Sequence, residues 1–303
     1  MLVERDHELS VLRALLDEAT AGNGRLVAVS GEAGVGKTTL VAHLAASCGP
    51  EVAVRRGMAD NITAGAALGV VIDALPELAD LAADATQTRL SLFGRIRSLL
   101  AAAPTLLILE DVHWADEASL DLVRFLGRRL DGIPVLVVMT FRSEEVLAHP
   151  LAVVLGDLGG PPAVARLALR PLTEQGVRDL TSAYGDPVDA RALHRQTGGN
   201  PFYVTEILAA PQDELPATIR DAVLARTVRL SEPAHRVLAS AAVLGRRVDT
   251  RLLGAVSGQP EAAIMECVDH GVLLAEEDAW AFRHELGRLA VDQTLTPSER
   301  ATL

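Results

Sequence analysis

Lysine is almost missing from this sequence: of 28 lysine and arginine side chains, only Lys37 is lysine. Aromatic residues are scarce too, at 3% against an apolar fraction of 49%, so any core must be packed from Ala, Leu and Val. The two cysteines, Cys48 and Cys267, are too far apart for a metal motif and lie in apolar helical contexts. That predicts buried, reduced thiols and a cytosolic setting. The longest apolar stretches, 99–109 (broken by Pro104) and 133–141, fall short of the roughly 20 residues a membrane-spanning helix needs. Charged residues Glu4, Arg5, Asp6, His7 and Glu8 argue against a signal peptide. Basic residues are scattered among acids, the net charge is −12, and no basic–aromatic surface recurs, so this stretch is not expected to bind nucleic acid itself. The expectation is a cytoplasmic protein without a membrane partner, and its 303 residues predict two or three domains.

The one ammonium stands in Gly31-Glu32-Ala33-Gly34-Val35-Gly36-Lys37-Thr38, the spacing of a phosphate-binding loop. Residues 25–30 ahead of it read as a short buried strand. The residues after Lys37 carry apolar side chains at helical spacing until Gly49-Pro50. A strand, a glycine loop and a helix in that order let backbone N–H groups curl around a phosphate while the helix N-terminus adds partial positive charge. Glu32, Ala33, Gly34, Val35, Gly36, Lys37, Thr38 and Thr39 are therefore candidate contacts to ATP or ADP. Lys37 would reach the β- and γ-phosphates and the Thr38 hydroxyl would ligate Mg²⁺.

Along the chain, a helix is predicted over 6–21. Strands are predicted near 26–30, 52–56, 105–109, 134–140 and 164–169, separated mostly by helical patterns, which points to a parallel α/β sheet covered on both faces. From Thr173 to about Leu230 only helices are expected, with Pro187 and Pro216 in first turns and Gly198-Gly199 as a stop. Beyond Ser231, helices near 232–243, 249–256 and 260–270 precede a strand pair, Val272–Ala275 and Trp280–Phe282, in the outline of a winged helix. The domains are thus placed at 1–170, 171–230 and 231–303, and the abrupt end after Thr296-Pro297 suggests a piece of a longer protein.

A second acidic site lies at Leu106–Asp111, a buried strand pattern ending in two carboxylates. One of Glu110 and Asp111 would serve Mg²⁺ and the other would orient a water; their division of labour stays open. Alternation along a strand sends the two side chains to opposite faces unless the strand has already ended. Asp116 reads as a helix N-cap, and His113 as a hydrogen-bonded loop histidine. Pro134–Phe141 is another buried strand pattern, and it ends in Arg142. If its strand neighbours that of the phosphate loop, this cation could read a γ-phosphate. Lys37, Glu110, Asp111 and Arg142 are the candidate catalytic residues.

Leu2-Val3-Glu4-Arg5, the phosphate loop, Leu109–Asp116, Thr140-Phe141-Arg142, Leu169–Leu172, Thr197–Phe202 and Phe282–Leu286 occur in that order. The set resembles the N-terminal ATPase part of the large ATP-binding LuxR-type transcriptional regulators, a branch of the STAND class among AAA+-related P-loop ATPases. The resemblance implies a five-stranded sheet of order 5-1-4-3-2, a helical lid and a winged helix. It implies Val3 and Arg5 near base and ribose, Pro201 against adenine, and His284 either on the β-phosphate or packed beneath the wing. This chain departs from the family pattern in carrying Glu4 where glycine is commoner. Family members continue into helical repeats and a C-terminal DNA-binding helix-turn-helix.

Three functions are compatible with these features to different degrees. A regulatory, slowly hydrolysing ATPase switch that self-associates with ATP uses every motif. A nucleotide-dependent scaffold needs no hydrolysis. A small-molecule kinase needs an acceptor pocket, for which no residue cluster is visible.

Overall fold

The computed structural model describes residues 2–60, 67–80, 87–146, 149–160, 162–183, 188–210 and 215–303. Pro187, expected above in a helix first turn, lies outside the described residues. The chain divides into two compact units, Met1–Arg170 and Pro171–Leu303.

In the first unit, β1 (Arg25–Gly31), β2 (Ala53–Met58), β3 (Thr105–Glu110), β4 (Val135–Arg142) and β5 (Val164–Ala168) form a parallel sheet of order β2-β3-β4-β1-β5. The order implied by the family resemblance is the same, read from the other edge. Strictly alternating side chains feed two cores. Val27, Val29, Leu106, Ile108, Leu136 and Val138 pack on the face covered by the helices Asp6–Thr20 and Lys37–Ala46. Leu26, Ala28, Leu107, Leu109, Val137 and Met139 pack on the face covered by the helices Gly69–Ala74, Arg89–Leu100, Glu117–Gly127 and Leu151–Asp157. Inner strand β3 is buried at all positions, whereas edge strand β2 alternates, which is why a charged pair such as Arg55-Arg56 is tolerated there. Each inner strand runs to the same end of the sheet, so Gly31, Glu110 and Arg142 finish side by side. Register pairs Gly31 with Arg142 directly. Ligands in open α/β sheets sit outside these carboxyl ends.

Among the described residues, the second unit opens with four helices, Glu174–Ser182, Ala190–Thr197, Pro201–Ala209 and Ala217–Thr227. Pro216 stands at the N-cap of the last, one residue ahead of the first-turn position expected for it. Three more helices follow, Glu232–Leu244, Thr250–Ser257 and Glu261–Asp269, with Glu285–Asp292 and Pro297–Thr302 at the end. The small antiparallel sheet has three strands, not two: β6 (Arg247–Asp249) pairs with β8 (Ala279–Phe282), which pairs with β7 (Leu273–Glu276). Cys267 is fully buried and burial raises its thiol pKa to about 12, so it behaves as a small apolar filler. Cys48 is only half-buried, because it follows the last turn of its helix where the chain returns to the surface. Among the described residues, no helix is long and apolar enough to cross a membrane.

Candidate phosphate-binding site

β1 ends at Gly31 and the next helix begins at Lys37, so five residues make the whole turn. Gly34 at φ 79° and Gly36 at φ 100° take conformations that side-chain-bearing residues avoid. A Cβ on Gly31 would lie 2.9 Å from both the Leu169 carbonyl oxygen and Val35 Cγ1. Lys37 is 7% exposed, and its Nζ donates to the carbonyls of Gly31 (2.8 Å) and Glu32 (2.9 Å). Burial lowers its pKa, and nearby Asp111 opposes that shift. Thr38 and Thr39 are exposed on the first helical turn.

The Ala33 N–H donates to Glu144 Oε1 at 3.2 Å, so a loop amide engages an anionic oxygen supplied by the chain itself. The donor chemistry of the loop therefore fits an anion, as a nucleotide phosphate requires.

Arg5, only 5% exposed, tethers this loop from the N-terminus. Its guanidinium donates to the carbonyls of Val35 (3.3 Å), Arg170 (2.6 Å) and Glu4 (2.9 Å). Burial pushes its pKa down, against the pull of Glu8 and Glu4. Glu4 adopts φ 52°, which explains why glycine would be at ease there. Val3 is half-buried beside it.

The two acids at the end of β3 face different surroundings. Glu110 is the last strand residue and is completely buried, with Oε1 paired to Arg56 Nε on β2 and Oε2 without a hydrogen bond. Asp111 has left the strand at φ 51°, and its N–H donates to Thr140 Oγ1 at 3.1 Å. Its carboxyl pKa is raised chiefly by burial, against the opposing pull of Arg142 and then Lys37. The break in alternation thus turns Asp111 toward the two cations while Glu110 faces the sheet edge. Thr140 belongs to the motif Thr140-Phe141-Arg142, and its hydroxyl is what holds the Asp111 backbone in place.

Arg142, the last residue of β4, donates from Nη1 to Glu145 Oε1 at 2.8 Å. His113 is 2% exposed, with Nδ1 3.9 Å from Asp111 Oδ1 and Nε2 3.7 Å from Glu145 Oε2, and neither ring nitrogen is hydrogen-bonded. The expectation of a hydrogen-bonded loop histidine is corrected: the ring is wedged between two carboxylates just out of bonding range. Burial, Arg142 and Lys37 together pull its pKa down to about 3, so it is neutral near pH 7. Asp116 caps its helix as expected, accepting the Ser119 N–H at 3.0 Å, and it also accepts those of Leu68 (2.9 Å) and Gly69 (3.1 Å).

Mg²⁺ keeps several waters and needs few protein ligands beyond the substrate phosphates. Asp111 beside the loop and Thr38 on the first turn suit that demand. Among the described residues, no group of three or more His, Cys, Asp or Glu forms a cage of its own.

In the second unit, Gly198 (φ 63°) ends a helix and Asn200 caps the next, its Oδ1 accepting the Phe202 N–H at 3.1 Å, with Pro201 at the first helical position. A Cβ on Gly199 would overlap the Leu172 carbonyl oxygen. His284 is buried edge-on against Tyr203, ring centroids 5.2 Å apart, and a Cβ on Gly198 would come within 2.6 Å of its Nδ1. The fold thus gathers the Gly198–Pro201 turn and His284 into one cluster.

Arg56, Glu144 and Glu145 were missed from the sequence. Two charges in a sheet strand signalled the first, and two acids two and three residues past Arg142 signalled the others.

The fold and the loop geometry define an α/β P-loop nucleoside triphosphatase architecture. Residues 1–138 match the family model described as AAA ATPase domain. An uncharacterized protein of Rhizobium meliloti (strain 1021) is 25% identical over 381 aligned residues, covering 100% of this chain but 36% of its own length. The chain therefore spans about a third of that curated relative. The Walker-type ATPase of Pyrococcus abyssi superposes with a TM-score of 0.63 at 15% identity, covering 96% of either chain. Cdc6p of Pyrobaculum aerophilum gives 0.52 at 13% identity, covering 98% of this chain and 96% of its own. The Orc1 protein of Aeropyrum pernix, solved in complex with DNA, gives 0.50 at 19% identity, covering 97% and 92%. At these identities the likeness is one of fold.

Proposed function

We propose that this chain is the nucleotide switch of a STAND-type regulator, similar to the ATPase part of the large LuxR-type transcriptional regulators. It binds ATP or ADP in the cytoplasm and hydrolyses ATP slowly. The observation that carries this reading is the buried Lys37 ammonium beneath a glycine loop, with Arg142 set opposite Gly31 by register and Asp111 just past the end of β3. In this reading Val35, Gly36 and their neighbours wrap the phosphates, Lys37 neutralises them, and Arg142 distinguishes triphosphate from diphosphate. Mg²⁺, held by Thr38 and Asp111, would screen the charge on the phosphate oxygens.

In this reading Glu110 orients the water once its ion pair with Arg56, which faces the sheet edge, is broken, and that requirement supports slow rather than rapid turnover. The helical segment from Pro171 to Leu230 acts as the lid. The helices from Glu232 to Asp269 with β6, β8 and β7 act as a winged helix. Pro201 and His284, clustered in that second unit, supply contacts to the base and β-phosphate of ADP. Loss of these contacts with ATP exposes the surface for self-association. DNA contact falls to a part of the protein other than this chain.

The test is the nucleotide carried by freshly purified protein, identified by mass spectrometry, together with light scattering in ADP and in ATP. Bound adenine nucleotide and a larger particle in ATP are expected. No bound nucleotide and identical particles in both would overturn the proposal.

A further inference from the structure

We propose that Glu144 and Glu145 are internal anions that ATP must displace, and that they thereby set the preference of the loop between ATP and ADP. The inference rests on the phosphate-loop reading above and names residues that the reading does not use. Because β1 and β4 pair with Gly31 opposite Arg142, the residues just past each strand end lie side by side. There a short 3₁₀ turn, Ser143–Glu145, presents two carboxylates to the donors that a triphosphate would need. Glu144 Oε1 takes the Ala33 amide at 3.2 Å, and its other oxygen accepts from Ser143 Oγ at 3.3 Å. Glu145 Oε1 takes the Arg142 guanidinium at 2.8 Å.

The bonds from Ala33 and Arg142 each involve a charged partner, and such bonds are stronger than neutral ones. A γ-phosphate reaching for Arg142 competes with Glu145. The amide of Ala33 lies on the same side of the loop, as its bond to Glu144, two residues past Arg142, requires. A γ-phosphate reaching for it competes with Glu144. ADP, one phosphoryl group shorter, meets less of this competition. Neither acid is needed for the core, since both lie on a half-buried turn with no buried residue.

Calorimetric titration of the whole, nucleotide-stripped chain with ATP and with ADP in Mg²⁺ tests this. Glu144→Ala is expected to tighten ATP about tenfold and ADP about twofold, the scale of losing one charge-assisted competitor. Glu145→Gln is expected to tighten ATP about threefold, and that gain should vanish in an Arg142→Ala background. Melting temperatures without nucleotide should stay near that of the unchanged protein. Equal gains for both nucleotides would mean plain charge removal and overturn the proposal. So would unchanged or weaker ATP binding in both variants. If Lys37→Ala abolishes binding while the glutamate series stays flat, only this inference falls. If the unchanged protein and Lys37→Ala alike bind nothing, the loop reading falls and takes the inference with it.

Discussion

In the first unit, strands β3 and β4 are buried along almost their whole length, and every candidate site residue among them sits at a strand end. In the second unit, the strands are three or four residues long, and the residues of interest, Pro201 and His284, sit at helix starts and turns. A parallel sheet fixes its strand ends by hydrogen-bond register, so Lys37, Asp111 and Arg142 inherit their positions from the rigid core. A helical unit has no such register, and its turn geometry must be enforced by close backbone contact. Gly199 against the Leu172 carbonyl and Gly198 against the His284 ring are those contacts. Accordingly, substitutions in the first site should damage chemistry more than folding, and those in the second cluster the reverse.

The largest expected effect belongs to Lys37→Ala, which should weaken adenine nucleotide binding by about a thousandfold, roughly 4 kcal/mol, with calorimetry as the readout. Binding retained within threefold would break the assignment of the loop. Next comes Gly199→Ala in the second unit. Its Cβ has no room beside Leu172 and its φ of 75° is unfavourable, so a loss of about 3 kcal/mol in urea unfolding is expected. Gly36→Ala in the loop, where a Cβ meets no atom within 4 Å, should cost only about 1 kcal/mol through its φ of 100° and should hurt nucleotide binding instead. If the two alanine variants destabilised equally, the contrast between the units would be wrong.

Arg56→Ala should cost about 2 kcal/mol, because it leaves the buried Glu110 carboxylate without its cation, although Arg56 itself is partly exposed and solvent softens the loss. Arg56→Ala/Glu110→Leu should recover most of that stability in thermal melts; no recovery would mean Arg56 matters through packing alone. The smallest effect is titrimetric. His113 has a folded pKa of about 3 against 6.5 when unfolded, so only the unfolded chain gains this proton between those values. Stability is thus fully present above pH 6.5 and falls as pH drops, by up to about 1.4 kcal/mol per unit. His113→Leu should flatten that limb in urea unfolding without nucleotide, and an unchanged slope would refute the buried, neutral ring.

The phosphate loop, the Glu110-Asp111 pair and the five large strands were legible because each is carried by consecutive residues. The loop needs glycines at fixed offsets, and the buried inner strands β1, β3 and β4 are continuous apolar runs. β6 escaped notice because three residues have no period to read, and its pairing with β8 crosses a separation of about thirty residues. Which acid of the pair turns toward Lys37 could not be read either. That depends on φ at Asp111, held by the Thr140 hydroxyl from a neighbouring strand. The partner of Glu110 lies on β2, and the carboxylates beside Ala33 and Arg142 are brought there by β4.

The sequence by itself determined the glycine-rich turn between strand and helix and the one ammonium seated in it, since such a turn is a local device set by glycines at fixed offsets. Only the tertiary structure decided the surroundings of that device: Arg142 beside Gly31, Asp111 turned inward, Glu110 tied outward and Glu144 on a loop amide. These are relations between strands far apart along the chain, and sheet register, a long-range hydrogen-bond pattern, is what sets them.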